Sequence, residues 1–253
     1  MKLNYLGRRA SARGLTLIEL VVVLAILVAL AGLIIGNFPS LLRKASGSTS
    51  ANTIQDIARA VSIRQTTLNS VGSGFDSLLD TSDAVFSKLP PGCLTNIVAT
   101  ALTTNAAALA ELGLTQICRL DATTTDATWS VAASNNLVNV IGTTVAAQAT
   151  PFLVNKIIPN SSAYVGTPTV WLFGVGKIST LVGAGSTLLE APTRTGTSEL
   201  ENAQNFYQRY VIAFVVDGSG LGGAARARFL GALAPTALGF SLTDDATQMY
   251  NQN

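Results

Sequence analysis

Few residues of this 253-residue chain could carry enzyme chemistry, because it contains no histidine. Histidine is the usual general base near neutral pH and the commonest metal ligand. Its absence argues against a Ser-His-Asp hydrolase and against most catalytic zinc sites, whereas carboxylate or lysine chemistry stays open. The composition therefore favours a protein that is not an enzyme and that holds no cofactor.

The two cysteines, Cys93 and Cys118, have no CxxC spacing. This argues against redox catalysis and against a zinc site. One pair of cysteines suits a single disulfide in an oxidising compartment, but it equally suits two buried thiols. Both alternatives stay open at the level of sequence.

A glycine-rich motif lies near the carboxyl end. Residues 218–223 read GSGLGG, which satisfies G-x-G-x-x-G after a predicted strand, and Asp244 follows at the spacing of a dinucleotide-binding fingerprint. A Rossmann half needs further βαβ units, and only thirty residues follow Gly223. We therefore interpret the motif as the loop of a hairpin.

Three aspartates around this motif could supply oxygen ligands to calcium: Asp217, Asp244 and Asp245. Calcium takes about six to eight oxygen ligands, and three carboxylates are fewer than that. We expect these residues to be solvated acids of turns, with calcium as the one candidate metal.

The charge of the chain is concentrated at its amino end. Residues 1–14 hold four of the sixteen basic residues and no acid, so the remainder has twelve basic and fourteen acidic residues. That balance lacks the basic footprint of a nucleic-acid-binding protein, and no nucleic-acid partner is expected. The basic segment itself is typical of one retained in the cytoplasm beside a membrane helix.

Residues 15–38 form a long apolar run that contains one acid, Glu19. As a helix they would measure about 36 Å, which is enough to cross a hydrocarbon core of about 30 Å. Twelve Leu, Ile and Val residues between Leu20 and Ile35 favour insertion by about 4 to 7 kcal/mol, against a cost of about 3 kcal/mol for one carboxylate. Glu19 is then either a chance acid that reaches the headgroups or a side chain with a cationic partner.

Farther along the chain, local patterns predict several elements. A helical stripe at 54–68 suits a helix that lies on a sheet, and an alanine-rich helix is predicted at 106–112. Strands are predicted at 169–173 and 206–216, with 226–233 returning as the pair of the second strand. A hairpin is predicted from 129–131 and 137–141.

The amino-terminal pattern resembles a known family. A basic leader ending in Gly14, the residues LTLIEL at 15–20 and an unbroken apolar run closely resemble the class III leader of type IV prepilins and of the pseudopilins of type II secretion. The resemblance covers about the first 45 residues. It implies that prepilin peptidase cuts after Gly14 and methylates the amino group of Leu15, where the family usually has Phe or Met. It also implies that Glu19 pairs with the α-amino group of a neighbouring subunit and sets the stagger.

The resemblance also implies a fold and a function. The expected fold is α+β and pilin-like, with a long amino-terminal helix packed on an antiparallel sheet. Residues 1–14 are then the cleaved leader, 15–38 the transmembrane and assembly helix, 39–70 its continuation on the globular domain, and 71–253 an extracytoplasmic globular domain.

The chain would be a structural subunit of a pilus or secretion pseudopilus, whose partners are copies of itself, prepilin peptidase and the assembly machinery of the inner membrane. It would begin as a single-pass precursor in that membrane and end in a filament or at the cell surface. Some pseudopilins hold calcium in a carboxyl-terminal loop.

Two other readings remain open. An ordinary secretory signal could be cut after Ala31, since residues 29–31 read ALA, which would release a secreted enzyme or binding protein. Against this, Glu19 stands at the start of the apolar region and the run continues past the cut to Ile35. The second alternative is a monomeric binding domain anchored in a membrane, which keeps its glutamate by chance.

Overall fold

The computed structural model describes residues 16–79, 88–102, 105–120, 128–130, 141–145, 164–194, 206–236 and 239–241. Over these residues the protein is a mixed α+β structure, with an apolar helix at the amino end and a curled, largely antiparallel sheet. This confirms the predicted class. The chain divides into two compact units, and the boundary lies between Arg43 and Lys44.

Helix α1 spans Leu17–Leu68 and contains 52 residues. Its first part is built from Leu, Ile, Val and Ala, which insert well and suit a helix in an apolar medium. The helix continues through Pro39 and through the polar residues 46–50, where the sequence left its continuity open. Within that stretch the Thr49 hydroxyl donates a hydrogen bond of 2.9 Å to the carbonyl of Ala45, so this hydroxyl is satisfied by the helix itself.

Besides residues 44–68 of α1, the described residues of the second unit form nine strands, two short α-helices and a 3-10 turn at Leu221–Gly223. The strands are β1 (Phe75–Asp76), β2 (Ile97–Ala101), β3 (Ile117–Leu120), β4 (Thr128–Ser130), β5 (Ile141–Val145), β6 (Thr169–Gly174), β7 (Val211–Asp217), β8 (Arg226–Thr236) and β9 (Gly239–Ser241). The helices are α2 (Pro91–Leu94) and α3 (Asn105–Glu111). The strand order is β4-β3-β1-β6-β7-β8-β9, with β5 also beside β6 and β2 beside β5.

The sheet is buried on both faces along its central strands. Trp171 and Phe173 of β6 lie in one core cluster with Ile57 of α1, whereas Val170 and Leu172 lie in a second cluster with Cys93 of α2. Alternate residues of a strand point to opposite faces, so each face of β6 has its own apolar cover. The predicted stripe of α1 is confirmed at Ile54, Ile57 and Val61, while Leu68 is exposed.

Local predictions succeeded for α3, β6 and the β7–β8 pair, whose antiparallel register joins Asp217 to Arg226. The strand predicted at 206–216 begins later, at Val211. Of the predicted hairpin of 129–131 with 137–141, residues 131–140 lie outside the described residues, so this pairing stays a prediction. In the described residues, β4 pairs with β3, and β5 pairs with β2 and β6. The sheet also contains one parallel pair, β1 with β3, where an antiparallel sheet was expected.

Candidate functional site

The first turn of α1 is closed by a reciprocal pair of side chains, Thr16 and Glu19. The backbone N–H and the hydroxyl of Thr16 donate hydrogen bonds of 2.8 and 2.9 Å to Oε2 of Glu19. In return the Glu19 N–H donates to the Thr16 hydroxyl at 3.3 Å. This is a capping box, in which a Thr at the helix start and a Glu three residues later satisfy each other's backbone donors.

Sequence reasoning missed this role of Thr16, although the signal was present. The pattern T-x-x-E at 16–19, directly before an apolar run, is the sequence signature of a capping box. Glu19 therefore has an intrachain function that is independent of any partner. Gly14 and Leu15, the predicted processing residues, lie outside the described residues.

The residues of α1 that follow the capping box form an exposed apolar surface. Leu17–Ile35 is the one helix in the described part of the chain that is long and apolar enough to cross a membrane. Its large hydrophobic side chains are at least half exposed, from 50% at Val23 and Leu30 to 82% at Leu17. A helix with these properties at the amino end could serve as a membrane anchor or as a signal sequence.

Asp217, the described member of the calcium candidates, is buried at the end of β7 and is held by protein donors. Its Oδ2 is 2.5 Å from the Arg228 guanidinium and accepts a 3.3 Å hydrogen bond from the Val165 N–H. Its Oδ1 accepts bonds of 2.6 and 3.4 Å from the hydroxyl and the N–H of Ser219. Asp217 is thus not the solvated turn acid that was expected. Asp244 and Asp245 lie outside the described residues.

The environment of Asp217 favours its charged form. Burial raises the pKa of the Asp217 carboxyl, but the hydrogen bonds from Ser219 and Val165 and the positive charge of Arg228 outweigh burial and lower the pKa below its ordinary value. Arg228 also lies over the ring of Tyr164, with 4.8 Å from its Cζ to the ring centroid. The Asp217 carboxylate and its partner Arg228 therefore connect three segments of the chain: residues 164–165, the turn after β7, and strand β8.

Residues 218–223 form the turn between β7 and β8, which confirms the hairpin interpretation of the glycine motif. Gly222 and Gly223 have φ of 70° and 80°, a left-handed conformation that glycine adopts without steric cost. A second strand follows this turn, whereas a dinucleotide-binding motif would be followed by a helix. The motif therefore lacks the helix amino terminus that would bind a pyrophosphate.

The two cysteines are buried thiols in different parts of the second unit. Cys93 lies in α2, and its Sγ donates a 3.6 Å hydrogen bond to the carbonyl of Thr236. Cys118 lies in β3, in register with Asp76 of β1. Of the two alternatives open from the sequence, the structure has the thiols and not the disulfide.

Sequence reasoning also missed a buried carboxylate, Asp76 of β1, which is 1% exposed. The Tyr207 hydroxyl donates a 2.7 Å hydrogen bond to its Oδ2. A Cβ atom on Gly176 would collide with the same carboxylate, so the backbone of residue 176 closes one side of it. Asp76 is therefore a buried acid with a structural role. No local sequence pattern indicated it, because the residues around it come from distant segments of the chain.

Comparison of the chain with protein-family models, with curated proteins and with solved structures finds no match.

Proposed function

We propose that this chain is the structural subunit of a type IV pilus-like or type II secretion filament. In this proposal the chain is trimmed after Gly14, methylated on Leu15 and assembled through the Leu17–Ile35 part of α1. The single observation that carries the proposal is an acid in the first turn of an exposed apolar helix, directly after a basic leader that ends in glycine.

The exposed apolar surface supports assembly on physical grounds. Lipid covers such a helix in the membrane, and only the same surface of other copies could cover it after the chain leaves the membrane. The partners are therefore copies of this chain or related subunits, together with prepilin peptidase and the assembly machinery of the inner membrane. No catalytic activity and no nucleic-acid binding are part of the proposal.

Glu19 has the capacity for a cationic partner beside its capping role. Within the described residues, both hydrogen bonds that the carboxylate accepts reach Oε2. Oε1 is therefore available to the α-amino group of a neighbouring subunit. In a low-dielectric bundle of helices, this pairing would relieve two desolvated charges at once and would disfavour any other stagger.

A monomeric anchored protein is the main competitor, because the capping box explains Glu19 without any partner. Replacing Glu19 with Gln or with Ala separates the two explanations. Glutamine can still close a capping box, but it carries no charge, whereas alanine has neither property. We expect Glu19→Gln and Glu19→Ala both to lose most filaments, while the amount of protein in the membrane stays normal. Normal filament yield from the glutamine variant would reject the proposed ion pair.

The mature amino terminus decides between the proposed function and an ordinary signal peptide. We expect mass spectrometry of the exported protein to find a methylated Leu15 as the first residue. An unmodified Gly32 would show that the cut follows Ala31, which would remove Glu19 and most of the apolar helix. As a matched test, Gly14→Leu should leave the full-length precursor in the membrane, because the added side chain would hinder an extended backbone in a protease cleft.

A further inference from the structure

We infer that Thr16 is a positioning residue that prepares Glu19 to accept the amino group of the next subunit. The inference rests on the proposed function and adds a residue to it. Thr16 makes three hydrogen bonds with Glu19, two to Oε2 and one from the Glu19 N–H. Together they fix the carboxylate against the start of α1.

The two oxygens of the Glu19 carboxylate have different roles in this proposal. Both hydrogen bonds that the carboxylate accepts from Thr16 reach Oε2, so in this proposal Oε1 is the oxygen that an incoming amine meets. A glutamate side chain otherwise rotates about several bonds, and ordering it during assembly would weaken binding. Thr16 imposes that order within the single chain, before any neighbour arrives.

Trimming does not remove this arrangement. The proposed cut lies between Gly14 and Leu15, whereas the Thr16 N–H belongs to the peptide bond between Leu15 and Thr16. Each trimmed chain would therefore present a new amine at Leu15 and, four residues later, the Glu19 carboxylate, which Thr16 already holds in place. Thr16 would not contact the neighbouring amine itself, since it acts through Glu19.

The test compares Thr16→Val with Thr16→Ser. Valine has nearly the shape of threonine, but its side chain can neither donate to Oε2 nor accept from the Glu19 N–H, so only the hydrogen bond from the backbone N–H of residue 16 remains. Serine keeps the hydroxyl and can make all three. Each variant is tagged and produced together with untagged wild-type chain, and the tagged fraction in sheared filaments is divided by the tagged fraction in the membrane. We expect a loss of incorporation of about ten-fold for valine, comparable to the loss of one hydrogen bond to a charged group, and less than about two-fold for serine.

A role in helix stability alone would give a different result in the background of Glu19→Ala. If Thr16 acts through Glu19, then Thr16→Val should cause no further loss of incorporation when Glu19 is already alanine. An equal ten-fold loss of incorporation with glutamate and with alanine at position 19 would overturn the inference. The inference would also be overturned if the loss of incorporation were matched by an accumulation of untrimmed precursor on a gel. If the tagged wild-type chain itself fails to enter filaments, then the proposed function has failed, and the inference falls with it.

Discussion

The ion pair between Asp217 and Arg228 gives a stability prediction that can be worked out from the structure. The Asp217 side chain is fully buried, while the Arg228 side chain is 37% exposed. Arg228→Ala would leave a buried carboxylate without its nearest positive charge and would remove the stacking on Tyr164. The matched control is Arg226→Ala, because Arg226 lies on the same strand, is exposed, and is the direct register partner of Asp217.

The expected cost of Arg228→Ala is about 2 kcal/mol. Removing one partner of a fully buried ion pair costs about 3 to 5 kcal/mol. The loss should be smaller here, because Arg228 is partly solvated and the donors of Ser219 and Val165 still reach the carboxylate. Arg226→Ala should change the free energy of unfolding by less than about 0.5 kcal/mol, as is usual for an exposed residue.

Low pH should remove the stabilisation that the ion pair between Asp217 and Arg228 provides. The pKa of Asp217 is lower in the folded chain than its ordinary value of 3.8, so the unfolded chain binds the proton more tightly. The stabilisation is therefore fully present above that ordinary value and is lost as the pH falls through the lower pKa of the folded state. Asp217→Asn should flatten this part of the pH profile, because no carboxyl remains to titrate.

The assay is urea unfolding of the full chain in detergent between pH 7 and pH 2, followed by the fluorescence of its two tryptophans, of which Trp171 is buried in the core. Both arginine variants should unfold with the same dependence on urea as the wild type, so that midpoints can be compared. The reasoning would be refuted if Arg226→Ala lost as much stability as Arg228→Ala. It would also be refuted if Asp217→Asn left the acid limb of the profile unchanged.

Further predictions concern the buried acid and two backbone positions, all measured by the same unfolding assay. Gly176→Ala should be strongly destabilising, by more than about 2 kcal/mol, because its Cβ would collide with Asp76, whereas Gly231→Ala should be nearly neutral because nothing lies within 4 Å of the new atom. Tyr207→Phe should cost about 1 to 3 kcal/mol, since it removes a donor from a buried carboxylate. Gly222→Ala should cost about 1 kcal/mol through its φ of 70° alone, because the space around it is open.

The parts of the fold that the sequence predicted are those that depend on neighbours in the chain. The apolar residues of α1, the dense β-branched and aromatic residues of β6 and the glycine turn after β7 each determine their own local structure. The pairing of β8 with β7 was also predictable, because the glycine-rich loop between them brings the returning chain next to β7.

The parts that failed depend on distant pairings. Strands β1 and β3 form a parallel pair where an antiparallel sheet was expected, and this pairing joins segments that lie far apart in the chain. Asp76 was not recognised for a similar reason, because it is buried through contact with residues 176 and 207, about a hundred or more positions away. Sequence periodicity has no access to such neighbours.

The capping box changes how Glu19 should be understood in any chain of this kind. In the proposed filament Glu19 would meet two requirements, the donors of the first helical turn and the amine of another subunit, and one carboxylate could meet both because it has two oxygens. Only the second requirement needs a negative charge. The glutamate in the sequence is therefore weaker evidence for assembly than a loss of filaments in Glu19→Gln would be. A helix start alone would accept either glutamate or glutamine.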